Sequence, residues 1–557
     1  MCQQARLQLP PNLTQLVWIE GLPGTGKTFC IRTLTNINRQ VHKTNSADLA
    51  SAPTGCAASH IGGTTNHRAM LLPTKKADVN KPPSNPKNPN SDRMKEAHNR
   101  MSRVTAFFED EHSMRSKEIF AWIEHRQRNL RTPTRQVFDQ AMQPAPLPSM
   151  DGHSVPLHVA QRPHGGPDFY YSFGDVNQLP PVAQTPYYKP GVGKAGTSEQ
   201  VGHVALSRFW NSNPEGGWES TVVMMENVVR QNGDEPYKAF LDRIRTGQLH
   251  RNDVHFMLDK CEDRMDLEEF AEFDDALNIC STWKEANSVS YKYLRDKLTH
   301  PVTIIRAEMG GDRTPNCCAR GNVLPVMSAI CVGCMVMLLV NKVLDEDLYN
   351  GSVGIVRDIC YCPGEKVGSK GARMYVVVEF EKSKLSRPLV PGETNNKLVP
   401  IGLVTQKCER GCCWIKTVPL RVCYGLTGHK TQGMTTGQGE QFEKIKIHMP
   451  KGKMKNTPGW VLTAWTRSKA RKDVAIANKS SDLSKTELLR IGRTKAYTVR
   501  REFRETLARK SETSMRRTIT RITALHEVQQ EQHKTFNGGC DYLNSWYRST
   551  FPIEDTT

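Results

Sequence analysis

GLPGTGKT, Gly21 to Thr28, is the stretch on which the fold turns. The apolar run Leu16 to Ile19 precedes it and an apolar-periodic segment, Phe29 to Ile37, follows, so the local reading is strand, glycine-rich turn, helix. The pattern G-x-x-x-x-G-K-[ST] is met in full. Its glycines let backbone N–H groups wrap phosphate oxygens at a helix N-terminus, where the dipole favours negative charge. Gly21, Gly24, Thr25 and Gly26 form the cradle, Lys27 reaches the terminal phosphates, and Thr28 is placed to ligate magnesium.

Such a loop needs a carboxylate at the end of a neighbouring strand. Val104 to Phe108, running into Glu109-Asp110-Glu111-His112, supplies it. Asp110 is assigned to the metal and Glu111 to the attacking water as general base, with Glu109 a rival for either role. In SFGDVNQLPPV a short strand ends at Phe173, and Gln178 follows where an uncharged amide can sense a γ-phosphate or orient water. Phosphoryl transfer between two lobes also calls for cations reaching across a cleft. Arg230, in VVRQNGDEPY, and Arg467, in VLTAWTRSK, are the candidates.

Beyond these motifs, 76 Lys plus Arg against 57 Asp plus Glu leave a formal net charge of +19 over 557 residues. That balance favours a polyanionic partner, nucleic acid first. The 16 cysteines are scattered through a long chain without a secretory leader, which reads as free thiols in a reducing, intracellular compartment. No apolar run approaches the roughly 18 to 20 residues that cross a bilayer. Cys331-x-x-Cys334, Cys360-x-Cys362, and Cys408 with Cys412 and Cys413 lack two clean pairs in a compact module, so zinc is not expected.

Along the chain, Lys75 to Asn99 and Arg131 to Gly166 are polar and Pro-containing and read as surface insertions on an α/β core. Tyr170 to Phe173 and Val222 to Met225 read as buried strands and Tyr237 to Ile244 as a helix, an alternation that favours parallel sheets. Ser352 to Thr417 is Val-rich and broken by Gly, Pro and Cys, which reads as a small β module. The arginine-rich stretch from Arg500 to Arg521 is helical in pattern and reads as a solvated face, with extra DNA contact the alternative.

Taken together, the loop at Gly21, APTGCAASHIGGTTNH (Ala52 to His67), EDEHSM (Glu109 to Met114), HGGPDFYYSFGDVNQLPPV (His164 to Val182) and VVRQNGDEPYKAFLDRIRTG (Val228 to Gly247) resemble the PIF-type, RecD-like helicases of superfamily one. NICSTWKEAN (Asn278 to Asn287), GCMVMLLVNKVLDEDLYNGSVGIV (Gly333 to Val356), VPLRVCYGLTGHKTQGMT (Val418 to Thr435) and the Arg467 segment continue the resemblance, which runs from about residue 15 to 478. It implies a 5′-to-3′ ATP-dependent DNA helicase using ATP and Mg2+, acting as a monomer on single-stranded and forked DNA, in repair, recombination or telomere maintenance. Nucleus or mitochondrion would be its place in a eukaryote. Lys27, Thr28, Asp110, Glu111, Gln178, Arg230 and Arg467 fall on the family's ATPase positions. Pro53, Thr54, Thr64 and His67 fall on its first strand-contacting segment, and His429, Lys430, Gln432 and Thr435 on its second. Hydroxyl, imidazole and amide groups on loops above a sheet can bond phosphates and sugars without reading sequence.

The implied fold is α/β, with two tandem RecA-like P-loop NTPase domains and a small inserted SH3-like β module. Residues 1–205 would form the first domain, 206–351 with 418–480 the second, 352–417 the module and 481–557 a basic helical extension. The two polar insertions are not family core, and the chain departs from the family at two further sites. The adenine-contacting glutamine of the family lies upstream of the phosphate loop, where Gln3, Gln4 or Gln8 could serve, and AWTRSK puts Arg467 in altered company. An RNA helicase or translocase with the same engine, and a catalytically impaired nucleic-acid-binding relative, are the competing readings. A rolling-circle transposon helicase would need a nuclease His-hydrophobe-His site, which is not seen.

Overall fold

The computed structural model describes residues 13–73, 76–84, 91–132, 157–182, 184–311, 324–340, 348–407, 413–438, 440, 442–450 and 457–533. Gln3, Gln4, Gln8, Cys408 and Cys412 lie outside them.

The first lobe is built around β1, Thr14–Gly21, whose TQLVWIEG is buried almost throughout, as a strand flanked on both edges must be. Helix α1, Lys27–His42, follows the loop. Next come β2 (Asp48–Ala52), β3 (Thr64–Thr65), β4 (Ala106–Glu109), β5 (Phe169–Gly174) and β6 (Trp218–Met225), giving a six-stranded sheet of order β3-β2-β4-β5-β1-β6. Its pairings are parallel, with Val17 opposite Tyr171 on one side and Thr221 on the other. Because every strand points the same way, the loops after β1, β2, β4 and β5 gather on one edge of the sheet, where α/β proteins bind ligands.

The second lobe is a parallel four-stranded sheet in the order Gly425–Thr427, Leu277–Cys280, Ile445–Ile447, Val474–Ile476. Its core includes Tyr237, Phe240, Trp460 and Trp465. Between Cys280 and Gly425 the chain leaves for an antiparallel β region. There Met335–Leu338, Val353–Tyr361, Met374–Glu379, Leu398–Gly402 and Leu420–Val422 make a five-stranded sheet.

Strand pairing moves several of the expected boundaries. Trp218–Met225 pairs with β1, so the first lobe extends past 205 to the end of β6. Thr303–Arg306, Glu308–Gly311 and Met335–Leu338 pair with strands of the antiparallel region, which therefore begins near 303 and not at 352. The stretch Lys75 to Asn99 is less of a surface decoration than its composition suggests. Residues Asp92–Arg103 form a helix that puts Ala97 and Met101 into the first lobe's core beside Val79.

The basic C-terminal helix exposes Arg501, Arg509, Arg516 and Arg521 as a solvated face, but its other side packs. Helix Lys495–His533 lies against β6, burying Leu507 and packing Val499 and Phe503 onto the first lobe's core. No described helix is long and apolar enough to cross a membrane. Among the described residues no cluster of His, Cys, Asp or Glu suits a metal held by three such side chains. Cys331 and Cys334 are buried in a turn where the Cys331 N–H donates to the Cys334 sulfur at 3.4 Å.

Candidate nucleotide cleft and strand-facing edge

The loop after β1 closes through its own polar groups. Thr25 Oγ1 donates to the Leu22 carbonyl at 2.9 Å, and Lys27 Nζ donates to the carbonyls of Gly21 (2.7 Å) and Leu22 (3.0 Å). Gly24 and Gly26 have φ of +83° and +88°, left-handed values that glycine adopts without a steric penalty. Gly24 has a second reason to lack a side chain, since a Cβ there would meet the Arg230 Cβ at 2.4 Å. Its carbonyl accepts from the backbone N–H of Val229 at 2.9 Å, so the Arg230 segment is hydrogen-bonded directly to the phosphate loop.

A cavity of about 300 Å3 opens above the loop, and Gly24, Gly26, Lys27, Thr28, Asp110, Glu111, Gln178, Arg230 and Arg467 all line it. The sequence-derived catalytic set thus meets in one place, with Arg467 contributed by the second lobe. His60, Ala57 and Gly433 are also among the lining residues, and the sequence alone assigns them no role.

Charge in the cavity is strongly perturbed by burial. Desolvation first, and then the neighbouring Glu111, push the Asp110 carboxyl up to about 7, against the pull of Lys27. Glu111 holds φ +55°, a left-handed conformation that costs a non-glycine residue energy and recurs at functional sites. Arg467 is 3% exposed and caged by main chain, donating to the carbonyls of Thr463 (2.8 Å) and Met434 (2.8 Å). Burial and the nearby Arg230 hold its pKa down at about 10, which leaves it cationic at neutral pH. Arg230 donates to the Thr466 carbonyl at 3.1 Å, tying it to the turn that carries Arg467.

Two converging guanidiniums, a lysine and the loop amides suit a polyphosphate. The Gln178 Oε1 atom is buried with no partner among the described residues, as expected of an amide that waits for a ligand or its water. Magnesium also fits: one hydroxyl, Thr28, and one carboxylate, Asp110, share the cavity, and Mg2+ takes its remaining ligands from phosphate and water.

Glu109 has a different occupation. It is 2% exposed and forms an ion pair with Arg115. It also accepts from Tyr170 OH at 2.6 Å and from Asn66 Nδ2 at 3.1 Å. Side chains alternate along a strand, so Glu109 turns into the protein and the residues after it reach the cavity.

The residues expected to contact the strand divide. Pro53 and Thr54 follow β2, with Thr54 capping helix Gly55–His60 by accepting from Ala57 N at 3.2 Å, while Thr64 lies on β3 and His67 just beyond. His429 and Lys430 follow Gly425–Thr427 on the matching edge of the second lobe. Burial lowers the pKa of both His67 and His429, which favours neutral imidazoles. Lys430 is lowered to about 8, chiefly by burial, and donates to Asn350 Oδ1 at 2.7 Å.

Gln432 departs from its expected place on the strand. It is 2% exposed and its Nε2 donates to Glu111 Oε2 at 3.0 Å and Ser113 Oγ at 3.2 Å, which makes it a cross-lobe partner of the expected base. Thr435 lines a second cavity, of about 280 Å3, together with Thr28 and Arg230, so it too faces the cleft. Trp283, within NICSTWKEAN, receives no role from the sequence. It starts the helix after Leu277–Cys280, is 36% exposed, and carries the Arg421 guanidinium 4.4 Å from its ring centre. An aromatic directly after the Ser-Thr cap of a helix was the available signal.

Comparison with known proteins agrees with this geometry. Residues 8–198 match the family model of the PIF1-like helicases. Over that stretch the chain is similar to the PIF1-like helicases. A curated relative, the ATP-dependent DNA helicase PIF1 of Saccharomyces cerevisiae (strain YJM789), is 23% identical over 344 residues. The alignment covers 61% of this chain and 33% of that protein's length. Among solved structures, Pif1 helicase from Candida albicans superposes with a TM-score of 0.57 at 19% identity, covering 85% of this chain and 92% of that one. Bacteroides Pif1 in complex with ADP-AlF3 and ssDNA gives 0.56 at 19% identity, covering 87% and 92%. These likenesses show that the chain shares the tandem RecA-like fold of those helicases.

Proposed function

We propose that this chain is an ATP-dependent DNA helicase that moves 5′-to-3′ along single-stranded DNA and opens forked duplexes, working as a monomer. The observation that carries the reading is the convergence of Lys27, Thr28, Asp110, Glu111, Gln178, Arg230 and Arg467 on one cavity between the lobes. ATP with Mg2+ supplies the transferable phosphoryl group, and the protein's part is to position and to neutralise charge. The loop and Lys27 hold the phosphates, Thr28 and Asp110 would hold the magnesium, and Glu111 accepts the water's proton. Gln178 orients that water, while Arg230 and Arg467 stabilise charge at the γ-phosphate from across the cleft.

Closing and opening the cleft shifts the two strand-facing edges relative to each other. Pro53, Thr54, Thr64 and His67 would hold the strand on one lobe. His429 and Lys430 would hold it on the other, and Trp283 offers a base a stacking face. The formal charge of +19 supports a nucleic-acid track. Work in repair, recombination or telomere maintenance, inside the cell in a nucleus or mitochondrion, is the biological reading we attach to this activity.

The test is unwinding of forked, 5′-tailed and 3′-tailed duplexes with ATP, beside Lys27→Ala. Unwinding of forked and 5′-tailed substrates by the wild type alone is expected. Opening from a 3′ tail only would refute the direction, and stronger stimulation of hydrolysis by RNA than by DNA would refute the track.

A further inference from the structure

Three parts of the chain that are far apart in sequence meet behind the cleft. From the first lobe comes the turn at Asn177 and Gln178. From the second comes Gly459, which caps helix Trp460–Trp465, the helix that leads to Arg467. The third is the first turn and a half of the C-terminal helix.

Contact among them is close. A Cβ at Gly459, where φ is +79°, would lie 2.4 Å from the Asn177 carbonyl oxygen and 2.6 Å from that of Gln178. Only glycine permits this approach, which sets main chain of one lobe on main chain of the other. Tyr497 OH accepts the Gly459 backbone N–H at 2.9 Å. Arg500 Nη1 donates to the Asn177 carbonyl at 3.1 Å, and its Nε and Nη2 donate to Tyr188 OH at 2.9 and 2.8 Å.

Arg500 is fully buried, and the partners its guanidinium finds are a carbonyl and a phenol oxygen, neither of them a carboxylate. A buried guanidinium spent on a backbone carbonyl and a phenol is costly unless it fixes something that matters. What it fixes is the residue beside Gln178.

The rest of the segment is anchored to both lobes. Leu488 sits in the second lobe's core, and Arg493 donates to the carbonyls of Gly247 and Leu249 at 3.2 and 2.7 Å. Further along, Ser514 Oγ accepts from Val222 N at 3.1 Å, and Arg521 makes a two-pronged pair with Glu219, both on β6.

We propose that Tyr497 and Arg500 are positioning residues of the ATPase, holding the Gln178 turn and the Arg467 helix in register across the cleft. The C-terminal helix is then a working part of the motor. This inference rests on the ATPase roles given above to Gln178 and Arg467.

The experiment is steady-state ATP hydrolysis, with and without single-stranded DNA, by the full chain and by Tyr497→Phe, Arg500→Lys and Arg500→Ala, with thermal unfolding of each. Arg521→Gln, which loosens the same helix at its far end, is the control. Tyr497→Phe removes one hydroxyl and should fold. We expect kcat to fall about tenfold in Tyr497→Phe with KM for ATP within about twofold, because misplacement acts on the transition state more than on binding. Arg500→Lys should retain more activity than Arg500→Ala, and Arg521→Gln should keep the wild-type kcat. Wild-type kcat in both Tyr497→Phe and Arg500→Lys would overturn the proposal. So would an equal loss in Arg521→Gln, which would make the helix a source of stability alone. A wild-type chain that hydrolyses no ATP would instead refute the ATPase reading on which the inference stands.

Discussion

The cleft and the strand-facing edge are built by the same device, loops at the C-terminal ends of parallel strands, yet they differ in how tightly neighbours constrain each residue. In the cleft, Lys27 is held by two carbonyls, Arg467 by main chain, and Gly24 by the Arg230 backbone, so each group has one place to be. On the edge, Pro53, Thr64 and His67 are half-buried on short elements, and Gln432 has turned inward. The difference teaches that chemistry on phosphates fixes its residues through the fold, whereas backbone contact with a strand can be shared among many groups.

Variants can break that comparison or sharpen it. Lys27→Ala should abolish DNA-stimulated ATP hydrolysis, a loss of at least about 10^3-fold in a coupled-enzyme assay, because no other side chain replaces its charge at the loop. Glu111→Gln should lower kcat about 10^2-fold while a fluorescent ATP analogue still binds. If Glu109→Gln proved the more damaging of the two for kcat in folded protein, the division of labour among the three acids would be wrong. Arg115→Met tests that division from the other side. It strands the Glu109 carboxylate in the core and should destabilise the chain by about 3–5 kcal/mol in urea unfolding.

Smaller effects separate the edge from the cleft. Gln432→Ala should lower kcat about tenfold and leave affinity for a short single strand unchanged in fluorescence anisotropy. Weakened binding at normal kcat would return Gln432 to the strand. Lys430 provides the pH test. With its pKa lowered to about 8, its charge is present below that value and is lost as pH rises through it. Strand affinity should therefore fall a further few-fold, about 3-fold, between pH 7 and pH 9, and Lys430→Arg should remove that step.

What could be read from the sequence follows the same division. GLPGTGKT is a local chemical demand, so its strand, loop and helix were legible, as were the Asp110 and Gln178 loops. Glu109 was not separable from Asp110 and Glu111, because three consecutive acids look alike until the pleat of β4 and the buried Arg115 assign them. The antiparallel region was placed late because Thr303–Arg306 and Glu308–Gly311 are four-residue strands, and the second pairs with Cys413–Thr417 far along the chain. In the C-terminal helix the arginines drew attention to charge. The apolar spacing Val499, Phe503 and Leu507, one face at every fourth residue, was the signal that it packs.

That packing has a consequence for biogenesis. Leu507, Phe503 and Val499 complete a core that begins at Leu16, with the whole second lobe and its β excursion translated in between. The first lobe cannot finish folding on the ribosome when its own strands have emerged. It must wait, with the face later covered by the helix still open, until residues beyond 507 are synthesised, an interval in which exposed apolar surface invites chaperones or misassociation.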